Sequence, residues 1–499
     1  MEEAGAVRTV RLERDPLGIV PVDADRLYGP QTERARANFP LTGIVIGDFP
    51  ELLVALAQVK KVAARVNGRI GDLPADLADA VVQACDEIIA GPHHDHFPVD
   101  VCQGGAGTST NMNANEVIAN RALQLLGHDA GDYARVNPND HVNRNQSTND
   151  VYATAVRLAV FALNGQLMAA SERLAGAFGE RSLAFEAVRK LGRTQLQDAV
   201  PMTLGEEFGA YATTLREDVQ RAGEIARLLL EVNLGGTAIG TGIAASAAYR
   251  EQVCAELALV TGYPVTQAVN LVEATWDMGA FLLYSGMLKR VAAKLSKIAN
   301  DLRLLSSGPA GGIGEIALPR RQPGSSIMPG KVNPVIPEAV NAAAFRVFGL
   351  DLTVTFAAEG GQLQLARNLL VDPRSGHPAG KCNGHARRPL RHRDRSLRGA
   401  LPCQFAPQHR ARRRTGAAHR LCARRGGRGA RAGKRRPARS RRGARARADR
   451  LYSPQDYGVD HDRHHRLPKL HRPARLRGRT EQRGGSGPVR AGPPPRPPA

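Results

Sequence analysis

The sequence contains no uninterrupted apolar run that approaches the ~20 residues needed to span a membrane. Its first residues, Met1-Glu2-Glu3, are acidic and lead into polar sequence. The pattern of a basic segment followed by an apolar one, which is typical of a signal peptide, is therefore missing as well. From these two absences we expect a cytoplasmic protein with no membrane partner.

Cysteine is scarce and is not arranged in pairs. The six cysteines form no C-x-x-C motif and none of the spacings with which cysteine and histidine bind zinc. The sequence therefore predicts no metal site. We expect the first three cysteines, Cys85, Cys102 and Cys254, to be buried, reduced thiols.

Lysine is almost absent from the last part of the chain, although arginine is abundant there. After position 370 the sequence has 33 arginines but only three lysines, and the net charge of this part is +29. Residues 1–370 carry a net charge of −7, so the pI of about 10.4 reflects the tail alone. Glycine, proline and alanine separate the arginines, and such a tail cannot bury enough apolar surface to offset its ordering entropy. We expect residues 366–499 to be disordered.

A nucleic-acid-binding function is the alternative that this charge suggests. Dense arginine binds phosphate polymers without sequence specificity, and the affinity falls steeply with salt. The tail has no interleaved aromatic residues and no recognisable nucleic-acid-binding motif. We therefore interpret such binding as an incidental property of the tail.

Strand-like runs are short and few, whereas apolar residues recur with helical spacing over long segments. We predict one helix from Glu51 onward and one at 75–90, and further helices at 151–187, 204–232, 250–261 and 275–307. The last of these would be roughly 45 Å long and is apolar around much of its circumference, so it needs several helical partners. The sequence predicts a mainly α protein with an N-terminal domain at 1–150, a central helical domain at 151–365, and the tail.

The most unusual stretch of the sequence is a loop at 324–334, Gly-Ser-Ser-Ile-Met-Pro-Gly-Lys-Val-Asn-Pro, which follows a glycine-rich run at 307–314. Glycine permits unusual backbone angles and proline fixes them. Backbone N–H groups and Lys331 can converge on an anion, and a serine in that positive field would ionise more easily than in water. An ordinary surface turn is the alternative interpretation.

Three further clusters of hydroxyl and carboxamide side chains precede predicted helices or lie between them. They cover residues 107–120, 141–150 and 192–203. In the first cluster we expect a helix whose N-terminal region lies at 113–115, and we interpret the third as a turn between helices. Each offers uncharged hydrogen-bond donors to an anion, and each alone could be a helix cap or a simple connection.

Taken in chain order, with the loop at 324–334 last, the four clusters resemble the sequence blocks of the fumarase/aspartase superfamily. The loop is nearly identical to the signature loop of that superfamily. The resemblance extends from roughly Arg11 to Leu365. It is closest to the members that deaminate aspartate, because class II fumarases typically have histidine where this chain has Gln195.

The resemblance implies a fold in which long central helices of four subunits form one bundle, with each active site built from three chains. It implies the reversible removal of ammonia from L-aspartate to give fumarate, by abstraction of a Cβ proton and through an aci-carboxylate, without a cofactor. The implied partners are a small dicarboxylate and other copies of the chain in a homotetramer.

The roles carried over from the family fall on residues of all four clusters. Ser325 is the implied base, with Ser326 as the adjacent alternative, and Lys331 and the loop amides are the groups that ionise it. Lys331 and Asn333 are implied to bind a substrate carboxylate, and the rest of the pocket would be lined by Thr108, Ser147, Thr148, Asn149, Thr194 and Gln195.

The resemblance ends after Leu365, where family members continue with a bundle helix and a small C-terminal domain. The arginine, proline and glycine found here are typical of a GC-rich gene translated in the wrong frame. We therefore hypothesise a frameshift near codon 366, which would leave bundle surface exposed and the chain poorly active. The alternative functions are a class II fumarase and an inactive or nucleic-acid-binding product of a frameshifted gene.

Overall fold

The computed structural model describes residues 9–328 and 330–366. The predictions made for the arginine-rich tail lie outside these described residues, as does Pro329 of the signature loop. The described residues form ten α-helices and three two-stranded sheets, so the prediction of a mainly α fold is confirmed. In chain order the elements are β1 (Val10–Asp15), β2 (Gly18–Asp23), α1 (Pro30–Asn38), α2 (Pro50–Ile70), α3 (Ala75–Ala90), α4 (Thr108–Leu125), α5 (Thr148–Ala184), β3 (Arg189–Thr194), β4 (Gln197–Thr203), α6 (Leu204–Ala226), β5 (Glu231–Val232), α7 (Ala247–Thr261), β6 (Thr266–Gln267), α8 (Leu271–Trp276), α9 (Gly279–Leu305) and α10 (Val335–Glu359).

The first hydrophobic core lies among α2, α3, α4, α7 and the N-terminal half of α5. The apolar residues of α2 recur every three or four positions, and Leu53, Leu56 and Val59 are fully buried. Helix α3 ends at Gly91, whose φ of 105° allows the left-handed cap that an L side chain would strain. This core fixes the beginnings of α4 and α5, where two of the polar clusters lie.

The second hydrophobic core lies farther along α5, between its C-terminal half, α6 and the end of α9. Aromatic rings make edge contacts there: Phe178 with Phe208 at 5.9 Å and Phe185 with Phe208 at 5.3 Å between ring centroids. Helix α10 packs along α9. The 37 residues of α5 therefore connect the two cores.

The helices predicted at 151–187 and 250–261 each begin three residues earlier, as α5 and α7, and three other predicted helices differ more clearly from the structure. The helix predicted at 275–307 is interrupted, because Asp277 is extended and its Oδ2 accepts a hydrogen bond from Gly279 N at 3.0 Å, so that α8 ends and α9 begins. The helix predicted at 204–232 ends at Ala226, and a 3₁₀ turn and β5 follow. Helix α4 begins at Thr108, five residues before the predicted 113–115.

The cysteine prediction is correct for two of the three thiols. Cys85 and Cys254 are free and buried, whereas Cys102 is exposed. Cys102 lies in the loop before α4, where its backbone N–H donates to Asp100 Oδ1 at 2.8 Å and the side chain points away from the core. Burial raises the pKa of Cys254 to about 12, which keeps this thiol protonated.

Two of the long helices are apolar over much of their length. By length and composition alone, α5 and α10 could each span a membrane, with 39% and 22% of their most apolar windows buried in the protomer. Core helices of soluble proteins meet the same criterion. The exposed part of α10 includes Phe345, Leu352 and Phe356.

Candidate active site

Thr108 is the first residue of α4 and follows a tight glycine turn. Gly107 has a φ of 88°, and a Cβ atom on it would lie 2.4 Å from Cδ1 of Tyr152, so both its angle and its close approach to the ring require glycine. Thr108 Oγ1 donates to Gly105 O at 2.7 Å, and the side chain is exposed. The turn places Ala106 and Gly107 next to the beginning of α5.

Ser147 is the N-cap of α5 and is occupied by that role. Its Oγ accepts a hydrogen bond from Asn149 N at 3.3 Å, and its own N–H donates to Asp150 Oδ1 at 2.9 Å, which completes a capping box. A Ser147 hydroxyl that accepts from the backbone still has its proton to donate. Its main observed contribution is to begin the helix.

Thr148 and Asn149 form the first turn of α5. Thr148 Oγ1 accepts a hydrogen bond from Asn111 Nδ2 at 3.1 Å, and Asn149 Nδ2 donates to Ala238 O at 2.7 Å. Because the Thr148 oxygen is an acceptor in this contact, its hydroxyl proton remains available to a ligand.

A small cavity of about 50 Å³ lies against this first turn. Its polar lining comes from Thr148, Asn149, Arg157, Thr275 and Asp277, and Leu365 and Ala366 close one side. Helix N-terminal donors and uncharged side chains suit an anionic ligand. The cavity therefore offers donors to a carboxylate, beside one carboxylate of its own, Asp277.

Two residues of this cavity were missed from the sequence. Arg157 is only 6% exposed, donates to Leu228 O at 3.3 Å and stacks over the Phe281 ring with its Cζ 5.1 Å from the centroid. Burial lowers the pKa of Arg157. Asp277 lies at the break between α8 and α9. A lone arginine in an otherwise apolar stretch of helix was the signal that could have identified Arg157.

Two buried ionisable residues, Asp150 and Lys60, lie near the first turn of α5. Asp150 is fully buried, and its Oδ2 accepts hydrogen bonds from Gly235 N at 3.1 Å and Thr237 N at 3.0 Å. Burial raises the pKa of Asp150, and it lowers the pKa of Lys60, on α2, to about 7. Asp150 therefore ties the start of α5 to the glycine-rich segment at 233–242.

Thr194 and Gln195 lie at the tip of a β-hairpin, where the sequence predicts a turn between helices. Strands β3 and β4 pair antiparallel with Thr194 opposite Gln197, so Gln195 and Leu196 form a two-residue turn. Both have left-handed φ values, 51° and 61°. The tip is exposed, whereas the base of the hairpin is tied to Glu315 by Lys190 at 2.8 Å and Arg193 at 2.6 Å.

The signature loop is closed on itself by hydrogen bonds. Ser325 Oγ accepts from Ile327 N at 3.2 Å and from Met328 N at 3.0 Å, and Asn333 Nδ2 donates to Gly324 O at 3.2 Å. Gly324 N donates to Lys331 O at 2.8 Å, and the Lys331 side chain is exposed. The loop thus forms a compact turn with its ammonium group in solvent.

Within the described protomer only some of the expected residues meet. Thr148 and Asn149 line one cavity, together with Ala106 from the turn that precedes Thr108. The hairpin tip and the loop residues Ser325, Lys331 and Asn333 contribute nothing to the lining of that cavity. The blocks of one chain therefore form at least two separate surfaces.

A larger cleft of about 620 Å³ lies near β2 and α1, away from all four clusters. Its charged side chains include Asp25, Arg26, Arg36 and Asp95. Arg26 pairs with Asp95 at 3.2 Å and with Asp25 at 3.9 Å, whereas Arg36 pairs with Glu33 at 2.6 Å. Across residues 9–328 and 330–366, no three His, Cys, Asp or Glu side chains are grouped closely enough to bind a metal ion.

Comparison with known proteins identifies the family. A family profile described as lyase matches residues 18–349. An aspartate ammonia-lyase of Pseudomonas aeruginosa is 59% identical over 360 residues, which are 72% of this chain and 76% of that protein. The crystal structure of a fumarate lyase:delta crystallin from Brucella melitensis matches with a TM-score of 0.72 and 57% identity, over 74% of this chain and 80% of that one. A class II fumarase from Schistosoma mansoni matches with a TM-score of 0.68 and 36% identity, over 72% and 78% of the two chains. The resemblance read from the four clusters is confirmed, and the chain belongs to the lyase family of the fumarase/aspartase superfamily.

Proposed function

We propose that this chain is built to remove ammonia reversibly from L-aspartate and give fumarate. The observation that carries the proposal is its 59% identity to an aspartate ammonia-lyase over 360 residues, compared with 36% to a class II fumarase. Gln195 at the hairpin tip, in place of the histidine typical of fumarases, agrees with an amine as the leaving group.

Ser325 is the proposed base that takes the Cβ proton. Two backbone N–H groups, of Ile327 and Met328, already donate to its Oγ. Hydrogen bonds donated to an oxygen favour its ionised form, and Lys331 in the same loop would add positive charge when the loop closes over substrate. These two amides distinguish Ser325 from its neighbour Ser326.

The remaining cluster residues are proposed to bind the two carboxylates. Removal of the Cβ proton places a second negative charge on the adjacent carboxylate, so donors directed at that group stabilise the transition state more than the substrate. Lys331 and Asn333 would hold this carboxylate. The hydroxyl and amide donors of Thr108, Ser147, Thr148, Asn149, Thr194 and Gln195 would line the rest of the pocket.

The proposed assembly is a homotetramer, and the proposed location is the cytoplasm. Each active site would be built from residues of three chains. The separation of the hairpin tip and the signature loop from the cavity beside α5 supports this arrangement, because one protomer does not bring them together. The apolar side chains exposed along α10 support it as well.

The function is tested by incubating the purified chain with L-aspartate and following fumarate by ultraviolet absorbance and ammonia in parallel. We expect both products in equal amounts, and we expect Ser325→Ala to reduce the rate by about 10²–10⁴-fold, as for loss of a general base. Ser326→Ala is the matched control and should retain most of the activity.

Consumption of fumarate without any release or uptake of ammonia would instead identify a fumarase. Equal rates for the Ser325→Ala and wild-type chains would contradict the proposed base, even if ammonia is produced.

A further inference from the structure

We propose that Lys60 is a positioning residue of the active site. It sets the direction in which the Thr148 hydroxyl donates its proton. This inference rests on the proposed binding of a dicarboxylate. Lys60 lies on α2 and is fully buried. Its Nζ donates to Asn143 Oδ1 at 2.8 Å and to Gln146 Oε1 at 3.0 Å. Both amides belong to the segment that leads into α5.

A chain of hydrogen bonds runs from this amine to the cavity. Asn143 Oδ1 also accepts from Asn111 Nδ2 at 3.2 Å and from Asn115 Nδ2 at 3.3 Å. Asn111 Nδ2 in turn donates to Thr148 Oγ1 at 3.1 Å. Lys60 is thus connected to Thr148 through two carboxamides.

The direction of the hydrogen bonds in this chain follows from the amine together with one backbone carbonyl, because Asn143 Nδ2 also donates to Gln146 O at 3.1 Å. An ammonium group has three donors and no acceptor, so Asn143 must turn its oxygen toward Lys60. Asn111 then has to present its NH₂ group to that oxygen and to Thr148. The Thr148 oxygen becomes an acceptor, and its own proton is left to donate into the cavity, where a carboxylate would accept it. A neutral amine would still supply two donors for the two amide oxygens.

The orientation of Asn111 has a cost that the rest of the chain must offset. Asn111 Oδ1 is buried without a hydrogen-bond partner in the described part of the protein. An unpaired buried acceptor costs about 1–3 kcal/mol. The alternative orientation would leave the NH₂ group unpaired at the same place and turn Asn111 Oδ1 toward the Asn143 oxygen, so the donor that Asn143 requires decides between the two orientations. Gln146 is the second residue whose side-chain amide accepts a hydrogen bond from Lys60. Its Nε2 donates to Val142 O and Arg144 O, each at 3.0 Å, and so holds the backbone that leads into α5.

The hydrogen bonds of Lys60 also support the backbone before α5, so its positioning role has to be separated from this structural role by experiment. Lys60 forms no direct ion pair with a carboxylate of residues 9–328 or 330–366, although the negative charge of the buried Asp150 favours its protonated form and partly offsets the cost of burial. The neighbouring Lys61 contrasts with it, because it forms an ion pair with Asp86 at 2.5 Å on the outer side of α2. Lys61 is therefore a matched control on the same helix.

The test uses succinate, a dicarboxylate that cannot react, and measures its affinity by calorimetry. The full chain is compared with Lys60→Met, Thr148→Val, the double variant and Lys61→Met. We expect Lys60→Met and Thr148→Val each to weaken succinate binding about tenfold, the value of one hydrogen bond to a charged group, and the double variant to be no weaker than Thr148→Val. Lys61→Met should bind as the wild type does.

Melting temperatures and aspartate kinetics separate positioning from a structural role. A positioning role predicts a higher KM at a similar melting temperature, whereas a structural role predicts a lower melting temperature with unchanged succinate affinity. Succinate binding by Lys60→Met within twofold of the wild type, or two losses that multiply in the double variant, would overturn the proposal. A wild-type chain that binds succinate but forms no fumarate would refute the proposed function while the cycle still decides the role of Lys60. A wild-type chain that assembles and binds no dicarboxylate would refute both; if it does not assemble, the same measurements on a chain with the family reading frame restored after codon 365 decide.

Discussion

Glu116 is a buried carboxyl group that fastens the N-terminal segment to α4. Its two oxygens accept hydrogen bonds from Gly29 N at 2.9 Å, Gln31 N at 2.8 Å, and Thr32, whose N and Oγ1 lie at 3.1 and 2.6 Å. These donors surround the beginning of α1. Burial nevertheless raises the pKa of Glu116 to about 7, because the loss of hydration outweighs the four donors.

This raised pKa predicts a pH dependence of stability. Between the ordinary value of 4.5 and about 7, the folded chain holds a proton on Glu116 that the unfolded chain has lost. The free energy of unfolding should therefore fall as the pH rises through this window, by about 3 kcal/mol in all. Glu116→Gln should remove this component of the slope, although it lowers stability at every pH by placing an NH₂ group among donors.

The measurement is the melting temperature between pH 5 and pH 8. The difference between wild type and Glu116→Gln should be largest at the acidic end and smaller at the basic end. Glu186→Gln, at an exposed position, serves as the control and should follow the wild type. A difference that stays constant over the whole range would show that Glu116 is already ionised at pH 5.

At the level of single residues, the sequence identified Thr148 and Asn149 because hydroxyl and amide groups before a helix stand out in a polar cluster. It did not identify Lys60, because a Lys-Lys pair in an amphipathic helix is typical of its solvent face. Only the packing of α2 against α4 and α5 distinguishes the buried Lys60 from Lys61. Ser147 was identified as a pocket residue, whereas its observed contacts are those of a helix cap.

The hairpin formed by β3 and β4 is a strained element at an exposed position. Its two-residue turn has left-handed φ values at both Gln195 and Leu196, a geometry for which asparagine and glycine are normally used. Such angles at other residues cost on the order of 1 kcal/mol or more each. A strained and exposed turn is expected where a tip must present particular side chains to another surface.

Replacing Leu196 tests this strain. Leu196→Gly should stabilise the hairpin by about 1 kcal/mol, because glycine adopts a positive φ without a steric penalty, whereas Leu196→Val should destabilise it. Hydrogen exchange of the amides at 189–203 measures the effect within the element. Faster exchange in the glycine variant than in the wild type would show that the leucine side chain, and not the backbone angle, determines the stability of the turn.

The elements themselves were predicted unequally. The helix at 75–90 was predicted to the residue, because a continuous apolar stripe ends at Gly91. The hairpin was read as a connection between helices, since its strands are short, polar and exposed and lack the alternation of a half-buried sheet. The break between α8 and α9 was missed because apolar periodicity continues across it, and the hydrogen bond from Gly279 N to Asp277 decides against a continuous helix.

For the whole molecule, the exposed face of α10 is the main feature that a single protomer does not explain. Phe345, Leu352 and Phe356 are 63%, 56% and 66% exposed, and their spacing places them on one stripe. Exposed aromatic and aliphatic side chains in such a stripe indicate an interface. The match to the P. aeruginosa relative covers 76% of that protein, so about a quarter of it has no counterpart in the chain, whose sequence becomes arginine-rich after Leu365.

The hypothesis of a frameshift near codon 366 connects these two observations and predicts how assembly depends on the tail. Another reading frame of the gene should continue the family resemblance with a helical sequence poor in arginine. A chain with that frame restored should form a tetramer and produce fumarate at a higher rate than the chain as printed. The chain as printed should associate less completely, because the residues after position 370 carry a net charge of +29, which is self-repelling, and the arginine-rich tail replaces an apolar bundle helix. Mass in solution measured by light scattering tests both chains.

In the restored chain, Phe356→Arg should dissociate the tetramer with little change in helix content, whereas Leu17→Arg, at an exposed turn between β1 and β2, should leave it intact. A printed chain that is already a stable, fully active tetramer would refute the hypothesis, because the bundle would then close without the family's last helix.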